Sequence, residues 1–219
     1  MFKFYFNGAP NPNKVALFLE ETGLPCELIP VDTRKGEQFK PEFLKVNPNG
    51  KVPAIDDDGV FVFDSNAILL YLGEKTGKFM PANTPKNRAD TLSWLMFIAT
   101  GLGPYSGQAV HFKTAAPKDL DYALNRYLFE AHRHYKILDD HLATSKYMVG
   151  DTYSIVDMAF WGWAIVSRSG VATKLSAGSG LLSSASETSL SSSPSSTSGA
   201  GAAAVALGLT FSLLRMRVA

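Results

Sequence analysis

The sequence predicts an α/β domain over residues 1–80, a linker at 81–87 and an all-α domain over 88–164. Three observations carry this. Between residues 2 and 74, period-two apolar runs and helical ones follow in the order β-α-β-connection-β-β-α. Gly77, Pro81 and Pro85 then gather among polar side chains, the composition of a linker. Beyond them the apolar spacing is helical.

The elements follow in chain order. Phe2, Phe4 and Phe6 share one face of a short strand, with Lys3 and Tyr5 on the other. Gly8-Ala9-Pro10 ends it. Asn11 reads as a helix N-cap and Pro12 as the first helical residue. Val15, Leu17, Phe18 and Leu19 carry that helix to about Glu21, before Gly23 and Pro25. A second strand covers 27–31, and a polar connection over 34–48 holds a short helix at 41–45. Strands at 52–55 and 60–63 flank Asp58-Gly59, a hairpin signal. Asp64-Ser65 then precedes a helix over 66–74 with Ile68, Leu69 and Leu72 inward. This order is the thioredoxin-like arrangement within the α/β class.

In the second part, a helix over 89–100 is expected to break at Gly101, Gly103 and Pro104. A long helix follows from Pro117 to Ala143, with Leu124, Tyr127, Leu128, Ala131, Tyr135 and Leu138 at three- and four-residue steps. Ser154 and Asp157 make a capping-box-like start to a last helix that carries Trp161 and Trp163. From about Ile165 the chain changes character. Serine fills 14 of the 35 positions from 167 to 201, and Glu187 is the one acid after Trp163. Residues 165–219 are therefore expected to be an atypical tail, disordered or read from a changed frame, that leaves the helical domain incomplete.

A net charge of +1 supplies no basic surplus for nucleic acid or an anionic membrane. One cysteine, Cys26, makes neither an internal disulfide nor a CxxC pair. The four histidines form no HExxH and no other metal motif, so no metal is expected. The first ten residues lack the pattern of a secretory leader, and a cytoplasmic location is expected.

The segments Pro10-Asn11, Asn47 to Ile55 (NPNGKVPAI), Asp64-Ser65 with Ile68 to Leu72, Gly101 to Pro104 and Tyr153 to Asp157 together resemble the cytosolic glutathione transferases. Within these the set is most similar to the bacterial nu-type enzymes, glutathione-dependent disulfide-bond reductases. The resemblance covers residues 1–164. It implies a thioredoxin-like glutathione-binding domain, an all-α transferase domain, glutathione as co-substrate without a metal, and a homodimer. Substrates are glutathione or glutathione disulfide together with a small electrophile or a disulfide.

The resemblance also implies site residues. Val52, before a Pro53 that is often cis in this fold, pairs its backbone with the cysteinyl part of glutathione. Asp64 and Ser65 at a helix N-terminus suit the γ-glutamyl end, Ser65 and free N–H groups receiving the carboxylate and Asp64 pairing with the ammonium. Gln38 and Lys51 reach the glycyl end. Asn11 donates an amide N–H to the thiolate at the first helix's N-terminus. Where the nu-type pattern usually has Thr, two residues earlier, this chain has Ala9. Tyr5 is a rival, because some branches use a Tyr near the end of the first strand. Arg133 holds a second glutathione. Tyr105, Gln108, Phe112, Trp161 and Trp163 line the second-substrate pocket, although aromatic residues at helical spacing also make cores. Two functions are carried forward: a transferase that uses the bound thiolate, and a transferase-fold protein that binds glutathione with little turnover.

Overall fold

The protein is described from a computed structural model, which covers residues 2–117 and 120–168. The strand β1, Phe2–Phe6, buries its three phenylalanines and leaves Lys3 and Tyr5 half-buried. Helix α1, Pro10–Thr22, crosses over to β2, Cys26–Pro30, which pairs parallel with β1. The second strand thus begins and ends one residue before the expected 27–31. A 3₁₀ turn at Glu37–Phe39 and α2, Pro41–Val46, fill the connection. The strands β3, Ala54–Asp57, and β4, Val60–Phe63, form the expected hairpin, with Asp58 and Gly59 at φ 50° and 95° as a type I′ turn requires. Strand β3 starts two residues later than expected, so Val52 and Pro53 lie before it. The sheet order is β2-β1-β3-β4. Helix α3, Ser65–Thr76, buries Ile68, Leu69 and Leu72 and packs on α1. On the other side of the sheet, Val31, Phe43, Val46 and Ala54 make a smaller apolar cluster that takes in Tyr5 and Val52. The arrangement is thioredoxin-like.

The helical part departs from expectation at several places. Helix α4, Pro85–Phe97, does not break at the glycines. It passes through a π-helical segment, Ile98–Leu102, into α5, Gly103–Thr114. In the wider π turn Gly103 N–H donates to the Ile98 carbonyl, and the helix runs on through Pro104, which has no N–H to donate. Gly101 is required by contact: a Cβ on it would lie 2.1 Å from His134 Nε2. Helix α6, Asp121–Thr144, starts four residues beyond Pro117, which stands outside it.

Helix α7, Ile155–Arg168, continues past Ala164. Its start is held by Asp157, whose carboxylate accepts from Ser154 N–H and Ser154 Oγ at 2.9 Å each and from Met148 N–H at 2.9 Å. The Ser154 hydroxyl accepts from Val156 N–H at 3.3 Å, not from Asp157 as the sequence suggested, because Asp157 N–H goes to the Ser154 carbonyl. Phe79 joins the two parts of the chain. Its ring packs edge-on to Phe18 and Tyr153, and its carbonyl accepts from Ile155 N–H at 2.9 Å. Helix α7 packs along α1. The predicted tail beyond 168 lies outside the described residues. Among the described residues, no helix is long and apolar enough to cross a membrane.

Candidate functional site

Two helix N-termini meet at one corner of the sheet. At α1 the N-cap is Ala9, extended at φ −77° and ψ 162°, with no side-chain cap. Asn11 is therefore not the cap predicted for it but lies in the first helical turn. Pro10 supplies the fixed φ that starts the helix one residue before Asn11. The preceding loop is shaped by Asn7, which accepts from Ala9 N–H at 3.0 Å and donates to Thr33 Oγ1 at 3.2 Å.

At α3 the cap is Asp64, held at φ 72°, where a non-glycine residue is strained. Its Oδ1 accepts from Asn66 N–H at 2.9 Å and Ala67 N–H at 3.2 Å. These bonds take two of the N–H groups expected for a ligand carboxylate. Ser65 is buried beside the cap.

The two ends are tied by side chains. Lys14 Nζ donates to Ser65 Oγ at 3.3 Å and to Asn66 Oδ1 at 3.4 Å, and Ser65 Oγ donates to Asn11 Oδ1 at 3.5 Å. Lys14 is 1% exposed. Burial pushes its ammonium down to about 8, against the opposing pull of Asp64. Trp163 of α7 lies 6.0 Å from Nζ, and Gly162 gives the lysine room: a Cβ there would stand 2.5 Å from Lys14 Cγ. Sequence reasoning missed Lys14. Its signal was its position three residues after Asn11, among Val15, Leu17 and Phe18 on an otherwise apolar helix face.

The segment before β3 holds the next candidates. Asn47, buried, donates from Nδ2 to the Lys51 carbonyl at 2.6 Å and accepts from Asn49 N–H at 2.9 Å. This pins the turn into Val52-Pro53, whose peptide bond is cis. Val52 stands outside the β1–β3 ladder. Gln38 is half-buried; its Nε2 donates to the Thr33 carbonyl at 3.3 Å, while Oε1 is buried without a partner. Lys51 is exposed.

Other candidates fall elsewhere. Tyr5 packs edge-on to Phe43, in the cluster on the α2 side. Arg133 belongs to a group on α6. Its Nε donates to Glu130 at 3.0 Å, and Arg126 donates to the other Glu130 oxygen at 2.8 Å. Arg133 holds the Glu130 carboxyl below its ordinary range, with Arg126 adding to the effect. Tyr105 lies against His134 and Tyr127, and Phe112 stacks on Tyr127, so both rings pack onto α6. Gln108 is exposed on α5. Trp163, 8% exposed, packs against Gly103 and Lys14, because the two glycines at 103 and 107 let its large ring sink between the helices. Among the described residues, no group of three or more His, Cys, Asp or Glu is placed to hold a metal.

The family model for the glutathione S-transferase N-terminal domain matches residues 2–74, which include the corner and the segment before β3. The disulfide-bond oxidoreductase YfcG of Escherichia coli K12 is 48% identical over 170 residues, covering 74% of this chain and 79% of YfcG. The chain belongs to the glutathione S-transferase family. Solved members superpose on this transferase over both of its parts. A glutathione transferase from Burkholderia graminis, with two glutathione molecules bound per subunit, has a TM-score of 0.74 at 36% identity, covering 80% of this chain and 76% of that one. One from Pseudomonas putida, with a glutathione disulfide bound per subunit, has a TM-score of 0.73 at 34% identity, covering 79% and 80%.

Proposed function

We propose that this transferase uses a bound glutathione thiolate to reduce disulfides. The observation that carries the reading is the meeting of the α1 and α3 N-termini at Asn11 and Ser65, with Val52 outside the β1–β3 ladder. Two helix ends favour anions there. The Asn11 amide suits the sulfur, Asp64 and Ser65 the γ-glutamyl group, Val52 and Pro53 the cysteinyl backbone, and Gln38 and Lys51 the glycyl end. Arg133 is assigned to a second glutathione.

In the first step the thiolate attacks one sulfur of the substrate disulfide. An S–S bond forms to glutathione, and the other substrate sulfur leaves as a thiolate that takes up a proton. A second glutathione thiolate then attacks the mixed disulfide at its glutathione sulfur, releasing the remaining substrate thiol and glutathione disulfide. Two glutathiones supply the two electrons. Conjugation of a small electrophile uses the same thiolate. Residues 1–80 form the glutathione-binding domain and 88–164 the helical domain in this reading. A homodimer in the cytoplasm accords with exposed Val60, Phe61 and Phe63 on β4, exposed Leu92 and Met96 on α4, and a single free cysteine.

The test is turnover of a model disulfide with glutathione, alongside calorimetric binding, for the chain and for Asn11→Ala. Loss of one hydrogen bond to a charged sulfur is expected to lower turnover about 10- to 100-fold while binding holds. Full turnover in the variant refutes the role of Asn11. Ala9 favours a second reading, since the N-cap of α1 carries no hydroxyl. Binding without turnover in the unmodified chain establishes that reading, a glutathione-binding protein, in place of the first.

A further inference from the structure

The hydrogen-bond chain at the corner has a direction, and Lys14 sets it. An ammonium has three donors and no acceptor. Ser65 Oγ accepts from Lys14 at 3.3 Å, so its single proton goes outward to Asn11 Oδ1, 3.5 Å away, and the γ-glutamyl carboxylate falls to the Ser65 backbone N–H at the helix end. With its amide oxygen engaged by Ser65, Asn11 turns its Nδ2 hydrogens away from Ser65. Asn66 is fixed from the same ammonium through its Oδ1 at 3.4 Å. We propose that Lys14 is a positioning residue for the thiol chemistry: it orders the chain Lys14–Ser65–Asn11 so that the Asn11 amide nitrogen is left to donate to bound sulfur. This rests on the reading that glutathione binds at this corner.

The lysine's surroundings leave it little else to do. From α3 it faces Ser65 and Asn66, with Asp64 the charged group that acts on it. From α7 it faces the Trp163 ring and Gly162. At 1% exposure it offers nothing to solvent or to a substrate. At neutral pH its ammonium form predominates. Above about 8 a neutral amine, with a lone pair, accepts from Ser65, and the chain loses its single direction.

The ultraviolet absorbance of bound glutathione thiolate, titrated with pH, tests this in the unmodified chain, Lys14→Met and Lys14→Arg. In Lys14→Met the thiol pKa of bound glutathione is expected to rise by about one unit, a tenfold loss of thiolate at the acid end. Lys14→Arg, also donor-only, is expected to recover most of it. S-methylglutathione, with no thiol, is expected to bind the parent and Lys14→Met within about threefold. An unchanged thiol pKa in Lys14→Met overturns the proposal. So does a loss of S-methylglutathione affinity as large as the loss of thiolate, since that marks collapse of the corner. Should Lys14→Met fail to fold, Lys14→Gln, neutral and polar, is read by the same criteria. If the unmodified chain binds neither ligand, the glutathione reading itself falls. If it binds both and only the Lys14 effect is missing, this inference alone falls.

Discussion

The buried Lys14 makes stability depend on pH in a direction set by its surroundings. In the folded chain its ammonium is depressed from 10.5 to about 8, chiefly by burial. Below about 8 both folded and unfolded chains hold the proton, and the folded one bears the full cost of burying it. Between about 8 and 10.5 the unfolded chain keeps a proton that the folded chain has shed. Stability from this group therefore rises with pH across that window, by about 3 kcal/mol in all. Lys14→Met removes the titration but leaves Ser65 Oγ and Asn66 Oδ1 without their donor, a loss of about 1–3 kcal/mol that does not vary with pH there. The stability of the variant relative to the parent should then be highest at neutral pH and decline by about 3 kcal/mol as pH passes through the window. Urea unfolding of both chains at a series of pH values reads this difference directly, because titrations common to both cancel. A difference that stays constant from pH 7 to 10.5, or grows, refutes the assignment of a buried, depressed ammonium.

Two further outcomes follow from packing and capping. Gly162→Ala places a Cβ 2.7 Å from the Pro10 carbonyl oxygen, which is backbone and cannot swing aside, and 2.5 Å from Lys14 Cγ. It should cost about 1–3 kcal/mol and weaken glutathione binding together; calorimetry showing neither effect refutes the link between α7 and the site. Asp157→Asn leaves one oxygen where the carboxylate serves Met148 N–H, Ser154 N–H and Ser154 Oγ, and should lower stability by about 1–3 kcal/mol in thermal melts. Burial raises the Asp157 carboxyl above 3.8, so its own contribution to stability falls as pH climbs from 3.8 through the raised value. Melts of the parent and variant that keep a constant gap over that range contradict it.

What was legible in the sequence was whatever depends on near neighbours. The alternation of Phe2, Phe4 and Phe6 is a period-two pattern within five residues, and it places β1 without any knowledge of the sheet. Asp58-Gly59 names its own turn because both residues tolerate positive φ. Asp64 and Ser65 were legible because capping chemistry is local. Boundaries failed where two local signals competed. Pro10 and Pro12 both suit a first turn, and the reading that made Asn11 the cap chose the wrong one. Gly101, Gly103 and Pro104 look like breakers by local rule, yet the helix continues, because Gly101 answers to His134 on another helix. The burial of Trp163 was illegible for the same reason: it depends on glycines some sixty residues before it.

Lys14 is the sharpest case, because every local rule assigns a helical lysine to solvent. Its partners are 51 and 52 residues away on α3, and the space it occupies is left by Gly162 on α7. Only with these helices in place is the ammonium buried, and only then does it cost stability. A methionine of similar length would fill the same space without a charge. Packing therefore gives no reason for lysine at this position. What lysine supplies that methionine does not is a group that donates and never accepts at neutral pH, beneath the serine that holds the asparagine assigned to the glutathione sulfur in the proposed reaction. The helix that carries Gly162 and Trp163 thus bears on the thiol chemistry from behind, and the pH dependence of stability and that of thiolate formation should trace back to the same side chain.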